Sequence, residues 1–158
     1  GTVDLETGII SKAMGPAIRT QGLFRDRFVG IVRKGHPLCK GRITPKRYAA
    51  AAHALISRRG LEMGRVDEAL EKLGLVRHGV VTVGGFSPAI ALAAESDMIA
   101  TVPEQHTRSL WRGMHRFALP VPVPEFTISL FWHPRLEADP AHRWLRALVA
   151  GVCRRTGK

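Results

Sequence analysis

Two adjacent arginines, Arg58 and Arg59, follow the short apolar run His53-Ala54-Leu55-Ile56-Ser57. Such a position is the expected C-terminal end of a buried strand, where open α/β sheets gather ligands, and a guanidinium there can hold a carboxylate by two parallel hydrogen bonds. A pair of solvated loop arginines is the competing reading, and the residues alone leave both open. Gly84-Gly85-Phe86-Ser87-Pro88 is a second candidate. Ser87 can cap the free amides of a helix and Pro88 fits its first position. Those amides, with the positive end of the helix dipole, would suit an anion. An ordinary capped helix in a tight turn is the alternative. Phe86 and Phe131 could wall an aromatic ligand, although core packing is the commoner fate of phenylalanine.

Other chemistries find no constellation. The seven histidines include no pair on one helical face beside a carboxylate, and His133 and His142 flank a loop, so no metal is expected. Ser57, Ser87 and Ser129 lack a G-x-S-x-G context, and no paired carboxylates stand out. Gly84-Gly85 has no third glycine opening a helix and is not a dinucleotide fingerprint. We therefore expect neither an enzyme nor a cofactor.

The elements that must position the candidates read as an alternation. Residues 53–57 suggest a buried strand. Val66, Ala69, Leu70 and Leu73 fall on one helical face opposite Asp67, Glu68, Glu71 and Lys72, with Gly74 suited to end that helix. Residues 80–83 read as a strand, Ser87-Pro88 as a helix start, residues 98–102 as a strand, and residues 103–111 as a third helix. This order implies a mostly parallel sheet with helices on its faces. On either side of this middle, residues 28–32 and 127–132 read as strands, Thr44-Pro45 as a helix cap, and Asp139-Pro140 as the start of the last helix. There Ala141, Trp144, Leu145, Leu148, Val149 and Val152 form one apolar stripe, with Arg154 and Arg155 favourably placed at the C-terminal end.

Length and composition suit a folded chain. It has 158 residues, 45% of them apolar, enough to bury a core. Cys39 and Cys153 are far apart in sequence with no C-x-x-C pair, which fits a reducing cytoplasm better than a disulfide scaffold. No apolar run approaches the roughly 18 residues of a membrane span. The start, Gly1-Thr2-Val3-Asp4-Leu5, reads as a chain entered midway. The net charge of +11 is uneven: residues 1–52 carry ten Lys/Arg against three Asp/Glu, residues 53–131 eight of each, and residues 132–158 six against two. If the outer segments pack together, one lobe is basic and the other neutral. A basic lobe could rest against DNA or an acidic partner, or could reflect only an arginine-rich composition. With aromatics at 6%, the interleaving expected of a nucleic-acid platform is nearly absent, and composition is the preferred reading.

Several blocks carry a resemblance. Val3-Asp4-Leu5 and residues 23–38, from Leu23-Phe24-Arg25 to Gly35-His36-Pro37-Leu38, are similar to the first lobe of LysR-type effector domains. Gly64-Arg65-Val66-Asp67, Ser96-Asp97-Met98-Ile99-Ala100-Thr101-Val102-Pro103, Leu130-Phe131-Trp132-His133-Pro134-Arg135 and Asp139-Pro140-Ala141-His142-Arg143-Trp144-Leu145-Arg146 continue it in order. The set looks most like the branch of nodulation regulators and aromatic-compound sensors. Glu6-Thr7-Gly8 and Gly84-Gly85-Phe86 depart from the family's usual residues near the expected cleft, which implies a different ligand pose.

The resemblance implies an α/β fold of two Rossmann-like lobes joined by crossover strands, like type 2 periplasmic binding proteins, with the first lobe incomplete. Residues 1–52 plus 127–158 would form the partial, basic lobe I, and residues 53–126 lobe II. A small anionic or aromatic effector would bind between them, with Ile9 on one wall, the turn of Gly85, Phe86 and Ser87 on the other, and Arg58, Arg59 and Phe131 alongside. It would control a cytoplasmic regulator that acts as a homodimer or homotetramer and reaches DNA through a winged helix-turn-helix absent from this chain. The effector shifts the regulator only by its difference in affinity for two states, and a roughly 100-fold difference is about 2.7 kcal/mol. A solute-binding protein of a transport system and a free-standing basic nucleic-acid module are the rivals.

Overall fold

A computed structural model of the chain describes residues 4–10, 17–57 and 64–156. The chain divides into two compact units, one formed by Arg27–Pro124 and the other by Gly1–Asp26 with Glu125–Lys158.

The larger unit is built on a five-stranded sheet. Its strands are β3 (Phe28–Val32), β4 (Ala52–Ile56), β5 (His78–Val83), β6 (Ile99–Pro103) and β7 (His115–Ala118), in the order β5-β4-β6-β3-β7. β4 runs parallel to β5 and β6, whereas β3 is antiparallel to β6 and β7. The sheet is therefore mixed, and the expected parallel order holds only on one side. Both faces are covered, which explains why its inner strands read as continuous apolar runs. On one face Val32, Ile99 and Phe117 pack with Tyr48 and Ala49 of α1 (Pro45–Ala50) and Val66 and Leu70 of α2 (Arg65–Glu71). On the other, Val29, Ile31, Ala54, Ala100 and Val102 pack with Ala89, Ile90 and Ala93 of α3 (Phe86–Glu95).

Local signals account for most boundaries. Thr44 caps α1, its Oγ1 accepting from the Arg47 amide at 3.2 Å, with Pro45 in the first turn. Gly74, at φ 66°, takes the left-handed conformation after α2 that favours glycine. Residues 104–113 are successive turns, not the expected third helix. Their hydrogen bonds include Arg108 N–H to Gln105 O, Leu110 N–H to Thr107 O and Met114 N–H to Trp111 O. The Thr107 hydroxyl donates to Pro103 O at 2.6 Å, sharing that carbonyl with the Thr107 N–H at 3.2 Å, a back-bond that weakens and bends regular helix.

Glycine is required at Gly30 by close approach. It pairs with Phe117 across β3 and β7, and a Cβ there would lie 2.1 Å from Phe117 Cζ. Gly30→Ala should cost about 1–3 kcal/mol, the usual range for overpacking, with part recovered in Gly30→Ala/Phe117→Leu. Urea unfolding checks this, and an unchanged midpoint in the single variant would refute it.

The smaller unit is a three-stranded antiparallel sheet, β1 (Glu6–Ile9), β8 (Phe126–Trp132) and β2 (Arg19–Asp26) in that order, with α4 (Pro140–Thr156). β1 and β2 carry no clear alternation of apolar and polar residues, so nothing in the sequence announces them as strands. The stripe expected to bury α4 does not do so: Trp144, Leu145, Leu148 and Val152 are exposed. The helix instead buries His142, Arg146 and Ala150. Arg146 stands 4.5 Å over the Trp132 ring and donates to Leu136 O, Glu137 O and His142 Nδ1 at 3.1, 3.1 and 2.6 Å. His142 Nε2–H in turn donates to Asp4 O at 3.0 Å. A guanidinium with three hydrogen bonds and an aromatic face to rest on can outcompete apolar side chains for that contact.

The division between units also differs from the boundaries expected at 52/53 and 126/127. β3 finds antiparallel partners on both edges inside the larger unit. Arg27 is fastened there too, through Arg27 Nε to Glu104 Oε2 at 2.7 Å and Glu104 N–H to Arg27 O at 2.9 Å. A strand with apolar side chains on both faces needs a sheet covered on both faces, and β3 has one there. Charge follows: residues 27–124 hold fifteen Lys/Arg against seven Asp/Glu, a net of +8, and the rest nine against six, a net of +3. The unit containing the middle of the chain is the more basic one, the reverse of the expectation.

Candidate functional site

In the larger unit the C-terminal ends of parallel strands β4 and β5 meet the start of α3. Ser57 N–H donates to Val83 O at 3.0 Å, holding the two strand ends together. Gly84 then turns the chain, and Gly85, in extended conformation, is the N-cap of α3 with no side-chain capping bond. Phe86, Ser87 and Pro88 therefore occupy the first turn, and Ser87 is not the cap. Gly85 stands extended just before α3, so the helix begins two residues earlier than a start capped by Ser87 would. The Phe86 and Ser87 amides are left without intrahelical acceptors, and Pro88 has no amide to satisfy. Ser87 is exposed and Phe86 half-buried. The Phe86 ring meets the His106 imidazole edge-to-face, with centroids 6.0 Å apart.

This rim combines a helix N-terminus, which favours negative charge, with an aromatic pair that can pack against a ring. Arg58 and Arg59 follow Ser57 directly in sequence and lie outside the described residues. His106 was not foreseen, since it falls in a stretch read as helix and nothing local marks it as facing Phe86.

Ile9 and Phe131 belong to the smaller unit. Ile9 pairs with Ile128, and Phe131 with Glu6 on one side and Thr20 on the other. Directly paired side chains share a face and successive ones alternate, so Ile9 and Phe131 lie on opposite faces of the sheet. Ile9 is half-buried on the Trp132 face. Phe131 is 4% exposed, and a Cβ on Gly8 would touch its ring at 3.4 Å. The two do not line one wall.

A partly buried set of polar groups lies on the opposite face of the larger sheet from α3. Arg77 donates from Nε and Nη2 to the two Asp67 carboxylate oxygens at 2.7 and 2.6 Å, and Gly64 N–H donates to Asp67 Oδ2 at 3.2 Å. Burial alone would raise the Asp67 pKa, but Arg77 and the Gly64 amide hold the carboxyl below its ordinary value. The Tyr48 hydroxyl is 2.7 Å from Thr101 Oγ1, and burial raises its pKa. His53 Nε2–H donates to Tyr48 O at 2.7 Å. His53 Nδ1 is the one buried side-chain N or O atom without a hydrogen-bond partner among the described residues. Among these residues no group of three or more His, Cys, Asp or Glu could hold a metal ion, and no helix is long and apolar enough to cross a membrane.

The architecture is that of a type 2 periplasmic-binding-protein-like ligand domain, with two α/β units between which the chain passes at 26/27 and 124/125. Residues 3–154 match the family described as LysR substrate binding domain, and the chain belongs to that family. It is 31% identical over 153 residues to the HTH-type transcriptional activator NagR of Ralstonia sp, covering 92% of this chain and 51% of NagR. It is 32% identical over 162 residues to the HTH-type transcriptional regulator SyrM 1 of Sinorhizobium fredii, covering 99% and 47%. Among solved structures, the regulatory domain of MexT from Pseudomonas aeruginosa is similar at TM-score 0.75 and 28% identity, over 94% of this chain and 72% of that one. The chain thus spans about half the length of the curated relatives it matches. Family and relatives are those of transcription regulators, not of enzymes, and they favour a regulator over the solute-binding alternative.

Proposed function

We infer that the chain is the effector-sensing part of a LysR-family transcription regulator. It binds a small anionic or aromatic molecule and changes the conformation through which the regulator controls transcription. The observation carrying this reading is the rim of the larger unit, where free helix amides and the Phe86–His106 pair meet the ends of parallel strands. Ligands of open α/β sheets gather at such ends. Arg58 and Arg59, next in sequence to that rim, would grip a carboxylate. The effector-binding domain of QuiR, a protein of this fold with TM-score 0.73 and 16% identity, is in complex with shikimate. The regulator would be cytoplasmic, reach DNA through a winged helix outside this chain, and self-associate. Exposed Leu73, Val76 and Val80, the last on the edge strand β5, offer apolar surface for that association.

A thermal-shift screen of aromatic and small organic acids tests the reading. A ligand present at 100 times its Kd adds about 2.7 kcal/mol, roughly 5–10 °C for a domain of this size. Ser87→Asp is the informative variant. A carboxylate in the first turn of α3 is compatible with, or favourable to, the free helix, yet it should abolish the shift by an anion. Silence of the wild-type chain across a saturating panel would overturn the proposal.

A further inference from the structure

Residues 27–56 contain seven Lys/Arg and no Asp or Glu. Three of the seven are engaged inside the larger unit. Arg27 pairs with Glu104, and Arg33 with Asp97 at 2.6 Å. Arg47 donates to Arg42 O at 2.6 Å and to Pro37 O at 3.5 Å. The other four, Lys34, Lys40, Arg42 and Lys46, are exposed and pair with no carboxylate among the described residues.

Lys34, Lys40 and Arg42 stand on a fastened loop, and Lys46 in the first turn of α1 that follows it. His36 is buried, with Nδ1 accepting from Leu38 N–H and Nε2–H donating to Asp97 O, both at 3.0 Å. Gly35 and Gly41 take left-handed turns at φ 74° and 84°. Arg47 ties the two ends of segment 37–42 to α1. Holding like charges together on an ordered frame costs self-repulsion, and a partner carrying regularly spaced negative charge offsets it.

We propose that the Lys34–Lys46 segment is a docking surface for the phosphate backbone of duplex DNA, beyond any contact made by a separate DNA-binding domain. Two observations favour this occupant over an acidic protein or a single strand. Of the larger apolar side chains of the segment, Leu38 is buried and Ile43 is half-buried against the core, and the adjoining Tyr48 is fully buried, so the surface lacks the apolar and aromatic centre typical of protein interfaces. It likewise lacks the exposed aromatics on which unpaired bases stack. Lysines and arginines alone suffice for duplex phosphates, at the cost of sequence information. The inference rests on the reading of the chain as part of a DNA-bound regulator.

The test measures binding of the 158-residue chain to a mixed-sequence duplex by fluorescence anisotropy across salt concentrations. Four phosphate contacts correspond to a log–log salt slope of about −3.6. K34Q/K40Q/R42Q should bind at least tenfold more weakly at low salt, with a slope shallower by about 2 to 3. R19Q/R143Q/R154Q removes as many charges from the smaller unit and should bind within about twofold of wild type if the loop makes the contacts. Independently of any variant, duplex DNA should protect Lys34, Lys40 and Lys46 from acetylation and leave exposed Lys72 reactive. No salt-dependent binding, equal weakening by both triple variants, equal acetylation of all four lysines, or equally tight binding of polyglutamate would each overturn the proposal. A chain that answers an effector in the thermal screen but ignores DNA defeats this inference alone, and the converse result defeats only the sensor reading.

Discussion

Replacing Arg77 by alanine should destabilise the larger unit by about 3 kcal/mol, the low end for breaking a buried ion pair from one side. The guanidinium grips both oxygens of Asp67, and the two side chains are 12% and 27% exposed. Truncation leaves the carboxylate with the single Gly64 amide in an environment that penalises its charge. Arg77→Lys keeps the charge but loses the two-pronged geometry, and should fall between wild type and alanine. Asp67→Leu/Arg77→Met should recover much of the loss, because no charge then remains unpaired. Urea denaturation reads all three, and a cost below about 1 kcal/mol for Arg77→Ala would show that the pair is solvated in solution.

The second large effect is on acid stability. Burial of His53, whose side chain is 0% exposed, lowers its pKa from 6.5 to about 4, against the opposing effect of the Tyr48 carbonyl. Protonation would place a second N–H at Nδ1, where no partner stands. The unfolded chain binds that proton near pH 6.5 and the folded chain only near 4. Stability from this group is therefore complete above about pH 6.5, declines as pH falls toward 4, and is lost below, a total of about 3 kcal/mol. Asp67 acts in a separate, lower window: its pKa is depressed below 3.8 in the fold, so its contribution disappears as pH falls through and below that value. His53→Gln, which keeps a donor for the Tyr48 carbonyl, should flatten the melting-temperature profile between pH 6.5 and 4 and leave the lower limb. An identical slope in wild type and variant would remove His53 as its source.

Some elements were legible because their determinants are local. The Thr44-Pro45 cap and the spacing of Val66, Ala69 and Leu70 announced α1 and α2. The apolar runs at 28–32, 53–57, 80–83, 98–102 and 127–132 announced five strands. What was misread depended on competition between distant groups. In α4 the apolar stripe was real, yet Arg146 took the sheet-facing position because Trp132, His142 and the carbonyls of Leu136 and Glu137 satisfy its charge there. The 104–113 stretch has helix-compatible residues, but its backbone is held by turn hydrogen bonds and the Thr107 hydroxyl.

The site divides the same way. Gly84-Gly85-Phe86-Ser87 is visible as a turn into a helix, since glycine and serine write their backbone preferences into the sequence. Opposition of His106 to Phe86, and of Ile9 to Phe131 across a sheet, cannot be seen there, because both follow from strand register and chain path.

By itself the sequence determined the family, the alternation of strands and helices, and the absence of a recognisable catalytic constellation. These are written in residue types and short spacings. Tertiary structure alone decided that β3 joins the larger sheet between β6 and β7, moving the basic excess onto that unit, and that the half-buried Asp67 and Arg77 lie on the same face as the buried Tyr48 and His53. Strand pairing joins residues far apart in the chain, and burial changes a side chain's chemistry only once its neighbours are in place.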